Sequence, residues 1–139
     1  MTVVVDINVM LDVFQRREPH YTASAAFMNL VVQGSLEGIC PAHALTTLYY
    51  LARRHGTHQG AEAAIDVILA RFRIVALEHA DWQVVRRLPL SDFEDAAVAV
   101  TAQKAQAAFI ITRNEADFLQ SPVPAVSPAV FLSRFRAMP

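Results

Sequence analysis

The chain has 139 residues, a length typical of one domain, and a formal net charge of −1 that gives no global attraction to nucleic acids. Apolar residues make up 54% of it and the mean hydropathy is +0.29, above the average for soluble domains. We therefore expect an exposed apolar surface and a homodimer. No apolar run approaches the roughly 20 residues that span a bilayer, and no basic leader precedes the first strand. Together with the lone Cys40, these features predict a cytoplasmic protein without a membrane partner.

Strands alternate with helices along the sequence. A β-branched run at 2–6 predicts a first buried strand, and helical spacing of apolar residues follows over 7–17. Further strands are predicted at 38–40, 72–77, 109–112 and around 126. Further helices are predicted at 19–34, 41–54 with Gly56 as its C-terminal cap, 60–71, 81–87, 92–107 and from Pro128 onward. This order predicts an α/β fold, with a parallel sheet of about four to five strands flanked by helices on both faces. We expect residues 1–139 to form one domain.

Acidic residues lie where a parallel sheet binds its ligands, outside the carboxyl ends of the strands. Asp6 ends the first predicted strand, and Asp117 comes shortly after the fourth. Asp92, Glu94 and Asp95 open the helix that precedes that fourth strand. Asp92 and Asp95 are three positions apart, so they can face the same way on a helix.

Carboxylates that share a cleft repel one another and are tolerated when a cation is bound among them. Oxygen ligands without His or Cys partners favour Mg²⁺ or Mn²⁺ over zinc. Such an ion can activate water and offset charge on a phosphate undergoing in-line displacement. The sequence therefore predicts chemistry on a phosphodiester or a phosphate ester.

Each acid also has a purely structural explanation. Asp92 fits an N-cap of its helix nearly as well as a site role. Glu94 suits the positive end of the helix dipole and is expected to face solvent, and Asp95 can serve the dipole too. Asp117 could be a turn residue. Asp6 is harder to explain in this way, because an acid that closes an apolar strand is poorly placed for solvent.

Three segments resemble the motifs of PIN domains. Residues 2–9, TVVVDINV, resemble the opening strand that ends in Asp, with a small polar residue two places on. Residues 92–96, DFEDA, resemble the central acidic motif, and residues 110–118, IITRNEADF, resemble the last motif. Their order and spacing agree with the family over nearly the whole chain.

The resemblance implies a PIN-like, Rossmann-like sheet and a metal-dependent ribonuclease site that uses Mg²⁺ or Mn²⁺. Many small bacterial members resemble VapC-type toxins, which form dimers and pair with a cognate antitoxin, so RNA and an antitoxin are the implied partners. By the match, the catalytic and metal-binding residues are Asp6, Asp95 and Asp117. Residues implied to support them, by assisting, orienting ligands or holding a water, are Asn8, Asp92, Thr112 and Asn114.

One position departs from the family pattern. PIN domains usually carry a Glu in the third helix before a Leu-Tyr-Tyr-like run, and Thr47 stands there in this chain. Thr47 can hold a metal-bound water but supplies no charge. Either Asp92 or Glu94 substitutes for the missing acid, or the chain is a catalytically weakened PIN domain that acts as an RNA-binding or protein-interaction module.

Two other classes of protein, one an enzyme and one a signalling domain, also begin with a strand followed by acids. A haloacid-dehalogenase-like phosphatase needs a second acid where this chain has Asn8, and a receiver domain needs a Lys where it has Arg113. Both are disfavoured. Trp82 could stack on a nucleic-acid base, but a lone Trp in an amphipathic helix is more often core or interface. His43 and the other histidines show no metal-like pairing on one predicted face.

Overall fold

The computed structural model describes residues 1–137, except the side chain of Ala137. Its strands are β1 (Thr2–Val5), β2 (Glu37–Pro41), β3 (Phe72–Val75), β4 (Phe109–Ile111) and β5 (Ala125–Val126). Its α-helices are α1 (Ile7–Phe14), α2 (Tyr21–Val32), α3 (Ala42–Arg54), α4 (His58–Arg71), α5 (His79–Arg87), α6 (Phe93–Lys104) and α7 (Pro128–Ala137). A 3₁₀-helix spans Glu115–Phe118. No helix within residues 1–137 is both long and apolar enough to cross a membrane.

The five strands form one parallel sheet in the order β3-β2-β1-β4-β5. Side chains of β1 alternate between two buried cores, as the period of a strand requires. Val3 and Val5 pack into a core with residues of α1, α2 and α7, and Val4 packs into a second core with residues of α6. Helices therefore cover both faces, and the predicted fold class is confirmed.

The sheet register brings three strand ends to one edge. Val5 pairs with Ile111 and Val4 with Ile39, so Asp6 and Thr112 follow at the same level beside the end of β2. The Asp6 backbone N–H donates to the Ile111 carbonyl oxygen at 2.9 Å and extends the pairing of β1 with β4 by one residue.

Helix α6 brings its acidic first turn to this edge. Asp92 is its N-cap, with the carboxylate Oδ1 accepting from the Asp95 backbone N–H at 2.9 Å. Every residue from Ala96 to Ala102 is buried, and the helix packs on β1 and β4. A helix antiparallel to its strands begins near their carboxyl ends, so the acids of α6 face the end of β1.

Several predicted boundaries were wrong for local reasons. Gly56 is not a left-handed cap; His55 is the C-cap of α3, and the glycine with positive φ is Gly34, at +81°, after α2. Pro19 precedes its helix, which begins at Tyr21.

Other elements differ from the predictions at their ends. The third strand stops at Val75, and β4 stops at Ile111, so that Thr112 lies just beyond it. Helix α5 begins before Asp81, which forms a capping box with Glu78. Helix α6 ends at Lys104, not near residue 107, because Gln106 adopts a left-handed conformation with φ of 54°.

Candidate functional site

Asp6 lies at the centre of the carboxyl edge and is only 7% exposed. Its Oδ2 accepts a hydrogen bond from the Thr112 hydroxyl at 2.8 Å, and its Oδ1 accepts from the Ile7 backbone N–H at 2.8 Å. Burial raises the pKa of Asp6, while the hydrogen bonds from Thr112 and Ile7 oppose that rise. Asp6 thus caps α1 and also presents a fixed carboxylate at the strand end.

The segment after β4 is fixed to Asp6 through two side chains. The Thr112 Oγ1 accepts from the Asn114 backbone N–H at 3.1 Å while it donates to Asp6. The Asn8 side-chain amide donates to Asp6 Oδ2 at 3.4 Å and accepts from the Arg113 backbone N–H at 3.5 Å. The structure therefore brings Asp6, Asn8 and Thr112 together, and places the Asn114 backbone beside them.

Asp95 is half-buried and faces the other acids. Its pKa is raised to about 7, first by burial, then by the charges of Asp92, Asp6, Asp117 and Glu94. These charges act on Asp95 because α6 packs on β1 and on the 3₁₀-helix; we call the space among these acids the cleft. Asp6 and Asp117 are thus each near enough to Asp95 to influence it electrostatically.

Asp117 lies on the 3₁₀-helix and is exposed. Its backbone N–H donates to the Asn114 carbonyl oxygen at 3.0 Å, which is the turn role that its position also suggested. The Phe118 side chain beside it is buried in the core with Val4 and Ile110 and holds this turn against the sheet.

The donor chemistry of the cleft suits a hard divalent cation. The charges of the acids repel one another at Asp95, which a cation would offset, and the proposed ligands Asp6, Asp95 and Asp117 are all carboxylates. In residues 1–137, however, no three His, Cys, Asp or Glu side chains are arranged to hold one ion as they stand. Asp6, Asp95 and Asp117 are the side chains that would hold such an ion, with water completing its coordination shell.

Thr47 lies half-buried on α3, one helical turn after His43. The charges that act on Asp95 come from Asp92, Asp6, Asp117 and Glu94, with no acid supplied by α3. Because position 47 is neutral, the acids of the cleft come from the end of β1, the start of α6 and the 3₁₀-helix.

The sequence did not predict a buried ion pair between Asp12 and Arg113. Asp12 on α1 is fully buried, and its Oδ2 accepts from Arg113 Nε at 2.7 Å and from the Ser24 hydroxyl at 3.2 Å. The Arg113 charge also opposes the rise in the pKa of Asp6 that burial causes. The only sequence signal was an acid within the apolar run of α1, which does not by itself identify Arg113 as its partner.

An aromatic cluster borders the site from α3, α5 and α6. The His43 ring packs edge-on against Trp82, with 5.7 Å between ring centroids, and Trp82 stacks on Phe93 at 5.9 Å. Burial lowers the pKa of His43, and the charge of Glu94 opposes this shift. Trp82 is therefore a packing residue, as expected, but it packs beside the acids and not in either main core.

The sheet order, the strand ends and the acids at one edge define an α/β protein with a group of carboxylates at the carboxyl edge of its sheet. The sequence matches the family described as PIN domain over residues 2–116. The match covers most of the chain, and the chain belongs to the PIN domain family.

Solved structures agree with this assignment at the level of the fold. The VapBC2 complex of Rickettsia felis bound to promoter DNA is similar with a TM-score of 0.71 and 15% identity, covering 91% of this chain and 98% of that one. A toxin–antitoxin complex from Klebsiella pneumoniae is similar with a TM-score of 0.69 and 19% identity, covering 91% of this chain and 97% of that one. VapC20 of Mycobacterium tuberculosis, a toxin that cleaves the Sarcin-Ricin loop, has a TM-score of 0.64 and 15% identity, covering 78% of this chain and 86% of that one. A comparison with curated proteins finds no significant match.

Proposed function

We propose that this PIN domain is a metal-dependent endoribonuclease, the toxin of a bacterial toxin–antitoxin pair, with Asp6, Asp95 and Asp117 as catalytic metal ligands. The observation that carries the proposal is the buried Asp6 carboxylate at the carboxyl edge, in one cleft with acids from α6 and the 3₁₀-helix. A structural N-cap role explains one oxygen of Asp6 but not why its charge and those of Asp92, Asp117 and Glu94 all act on Asp95.

The residues around the cleft have separate tasks in this proposal. A bound Mg²⁺ or Mn²⁺ supplies water activation and neutralises charge on the scissile phosphate. Thr112 and Asn8 orient the Asp6 carboxylate through their hydrogen bonds. The backbone of 112–114 is fixed by the same contacts, which keeps Asn114 at the mouth of the cleft.

RNA and an antitoxin are proposed from the relatives. VapC20 is a toxin that cleaves the Sarcin-Ricin loop, and another similar structure is a toxin–antitoxin complex. Identities below 20% carry the fold and not the activity, so the substrate must be tested directly.

The test is cleavage of mixed RNAs by the purified chain with Mn²⁺ and with a chelator. We expect cleavage only with Mn²⁺, and loss of cleavage in Asp6→Asn. Asp66→Asn is the matched control, because Asp66 is an exposed acid of α4 outside the cleft. Cleavage that survives chelation, or that is equal in Asp6→Asn, would contradict the proposal.

A catalytically weakened PIN domain that binds RNA or protein is the second candidate. Thr47 favours it, because α3 supplies no acid to the cleft. It predicts RNA binding without cleavage and little uptake of Mn²⁺ by calorimetry.

A further inference from the structure

His43 carries an unexplained polar atom. Its Nε2 is buried and has no hydrogen-bond partner among the described residues. Buried polar atoms in folded proteins almost always have a partner, so an orphan of this kind suggests a group that is engaged in another state of the protein.

The position of His43 places it at the edge that carries Asp6. Helix α3 begins directly after Pro41, the last residue of β2, and β2 lies next to β1 in the sheet. His43 and Thr47 are four residues apart, so both lie on one face of α3. His43 therefore occupies the same side of the helix from which PIN domains usually supply a Glu.

The aromatic cluster joins His43 to the start of α6. His43 packs on Trp82, Trp82 stacks on Phe93, and Phe93 directly precedes Glu94. Phe93 remains 57% exposed, so its ring is held mainly by Trp82. This contact series links the His43 ring to the residue that directly precedes Glu94.

Glu94 is exposed, as its expected orientation toward solvent requires, but it is not isolated from the cleft. Its charge opposes the lowering of the pKa of His43, so its carboxylate acts on α3 as well as on its own helix. No hydrogen bond joins it to His43 in this structure, and its backbone follows directly on Phe93 of the aromatic cluster.

We propose that Glu94, held by a hydrogen bond from His43 Nε2, supplies to the metal site the carboxylate that position 47 lacks. His43 is a positioning residue in this scheme, because it acts through Glu94. The second Glu94 oxygen is left free for the cation or for one of its waters. The inference rests on the proposed metal-dependent function and adds two residues to its site.

Calorimetric titration with Mn²⁺ tests the pair without relying on activity. We expect Glu94→Gln to weaken Mn²⁺ binding at least about tenfold, and His43→Phe, which keeps a ring against Trp82 but removes the donor, to weaken it about tenfold. His43→Gln, which keeps an N–H donor, should bind more tightly than His43→Phe. Glu115→Gln is the charge control on the 3₁₀-helix and should bind as the parent does.

Two double variants make the test specific. If His43 acts through Glu94, adding His43→Phe to Glu94→Gln should have no further effect on Mn²⁺ affinity. If Glu94 replaces the missing acid of α3, adding Thr47→Glu to Glu94→Gln should restore most of the affinity. Circular dichroism of each variant checks that the fold is retained, and His43→Gln serves where His43→Phe does not fold.

The outcomes separate this inference from the function on which it rests. Parental Mn²⁺ affinity in Glu94→Gln, with loss in Asp6→Asn, overturns the role of Glu94 and leaves the metal site standing. Additive losses in the double variant overturn the pairing with His43. Parental affinity in both Asp6→Asn and Asp95→Asn contradicts the metal site itself.

Discussion

Burial and the charges of neighbouring acids together raise the pKa of Asp95. Its pKa of about 7 in the folded, metal-free protein lies above the ordinary value of 3.8. Between these values the folded state retains a proton that the unfolded state has released. The free energy of unfolding of the metal-free protein therefore falls as the pH rises through this window, and Asp6, whose pKa is also raised, contributes with the same sign.

Asp95→Asn removes this penalty and should stabilise the metal-free protein at neutral pH while removing most of its Mn²⁺ binding. The measurement is thermal unfolding of parent and variant in chelator from about pH 4 to pH 8. The melting temperature of the variant should exceed that of the parent by an amount that grows up to about pH 7 and then levels off. A gap that shrinks with rising pH, or equal Mn²⁺ titrations, would show that Asp95 only complements the helix dipole.

Asp12 on α1 forms an ion pair with Arg113. Because Asp12 is fully buried, Asp12→Ala removes the partner of a half-buried guanidinium and should lower the free energy of unfolding by about 3 kcal/mol. The control is Glu37→Ala, which breaks the exposed pair with Arg73 and should cost less than about 1 kcal/mol. Urea unfolding measures both, and similar costs would mean that the buried pair contributes no more than a surface one.

At the scale of elements, the first turn of α6 has a structural and a chemical task. Asp92 caps the helix, and its charge also raises the pKa of Asp95. Asp92→Asn keeps the cap, whereas Asp92→Ala loses it and should cost about 1 kcal/mol of stability.

Both Asp92 variants lose the same charge, but only Asp92→Ala loses the cap. Urea unfolding therefore measures the contribution of the cap, and Mn²⁺ calorimetry measures that of the charge. An equal loss of Mn²⁺ affinity in both would assign the carboxylate to the site. A loss of affinity only in Asp92→Ala would assign Asp92 to the cap alone.

The order of elements could be predicted because each strand is a short apolar run and each helix shows its own spacing. The ends were less predictable, since they depend on single backbone conformations. Gly34 takes the left-handed conformation after α2, whereas Gly56, in a similar position after α3, does not. Nothing in the two local sequences distinguishes these glycines.

The candidate site was predictable where one residue marks a strand end, as with Asp6, or a helix start, as with Asp95. It was not predictable where two distant segments must meet. The contact of His43 with Trp82 joins α3 to α5, and that of Arg113 with Asp12 joins the segment after β4 to α1. Spacing along one element carries no information on such contacts.

At the scale of the whole molecule, the apolar composition leaves large side chains at the surface. Those more than half exposed in the described part of the chain include Tyr50, Leu69, Phe93 and Leu119. We propose a homodimer of single-domain chains, with Leu119, which is 84% exposed, in its interface.

Sedimentation equilibrium in the micromolar range tests this assembly. We expect a dimer for the parent and a dissociation constant raised at least about tenfold in Leu119→Arg, because a charge would be buried at an apolar contact. Leu69→Arg on α4 is the matched comparison. A parental monomer throughout the range would remove the dimer, and equal behaviour of both variants would remove Leu119 from its interface.

The proposed function requires the acids at the carboxyl edge to bind a divalent cation. Crystals soaked in Mn²⁺ and measured for anomalous scattering test its location directly. We predict a peak between Asp6 and Asp95, with carboxylate oxygens of both at about 2.0–2.6 Å, the range over which hard cations hold oxygen ligands. A map with no peak in the cleft at saturating Mn²⁺, or with its only peak elsewhere on the chain, would contradict the proposed function.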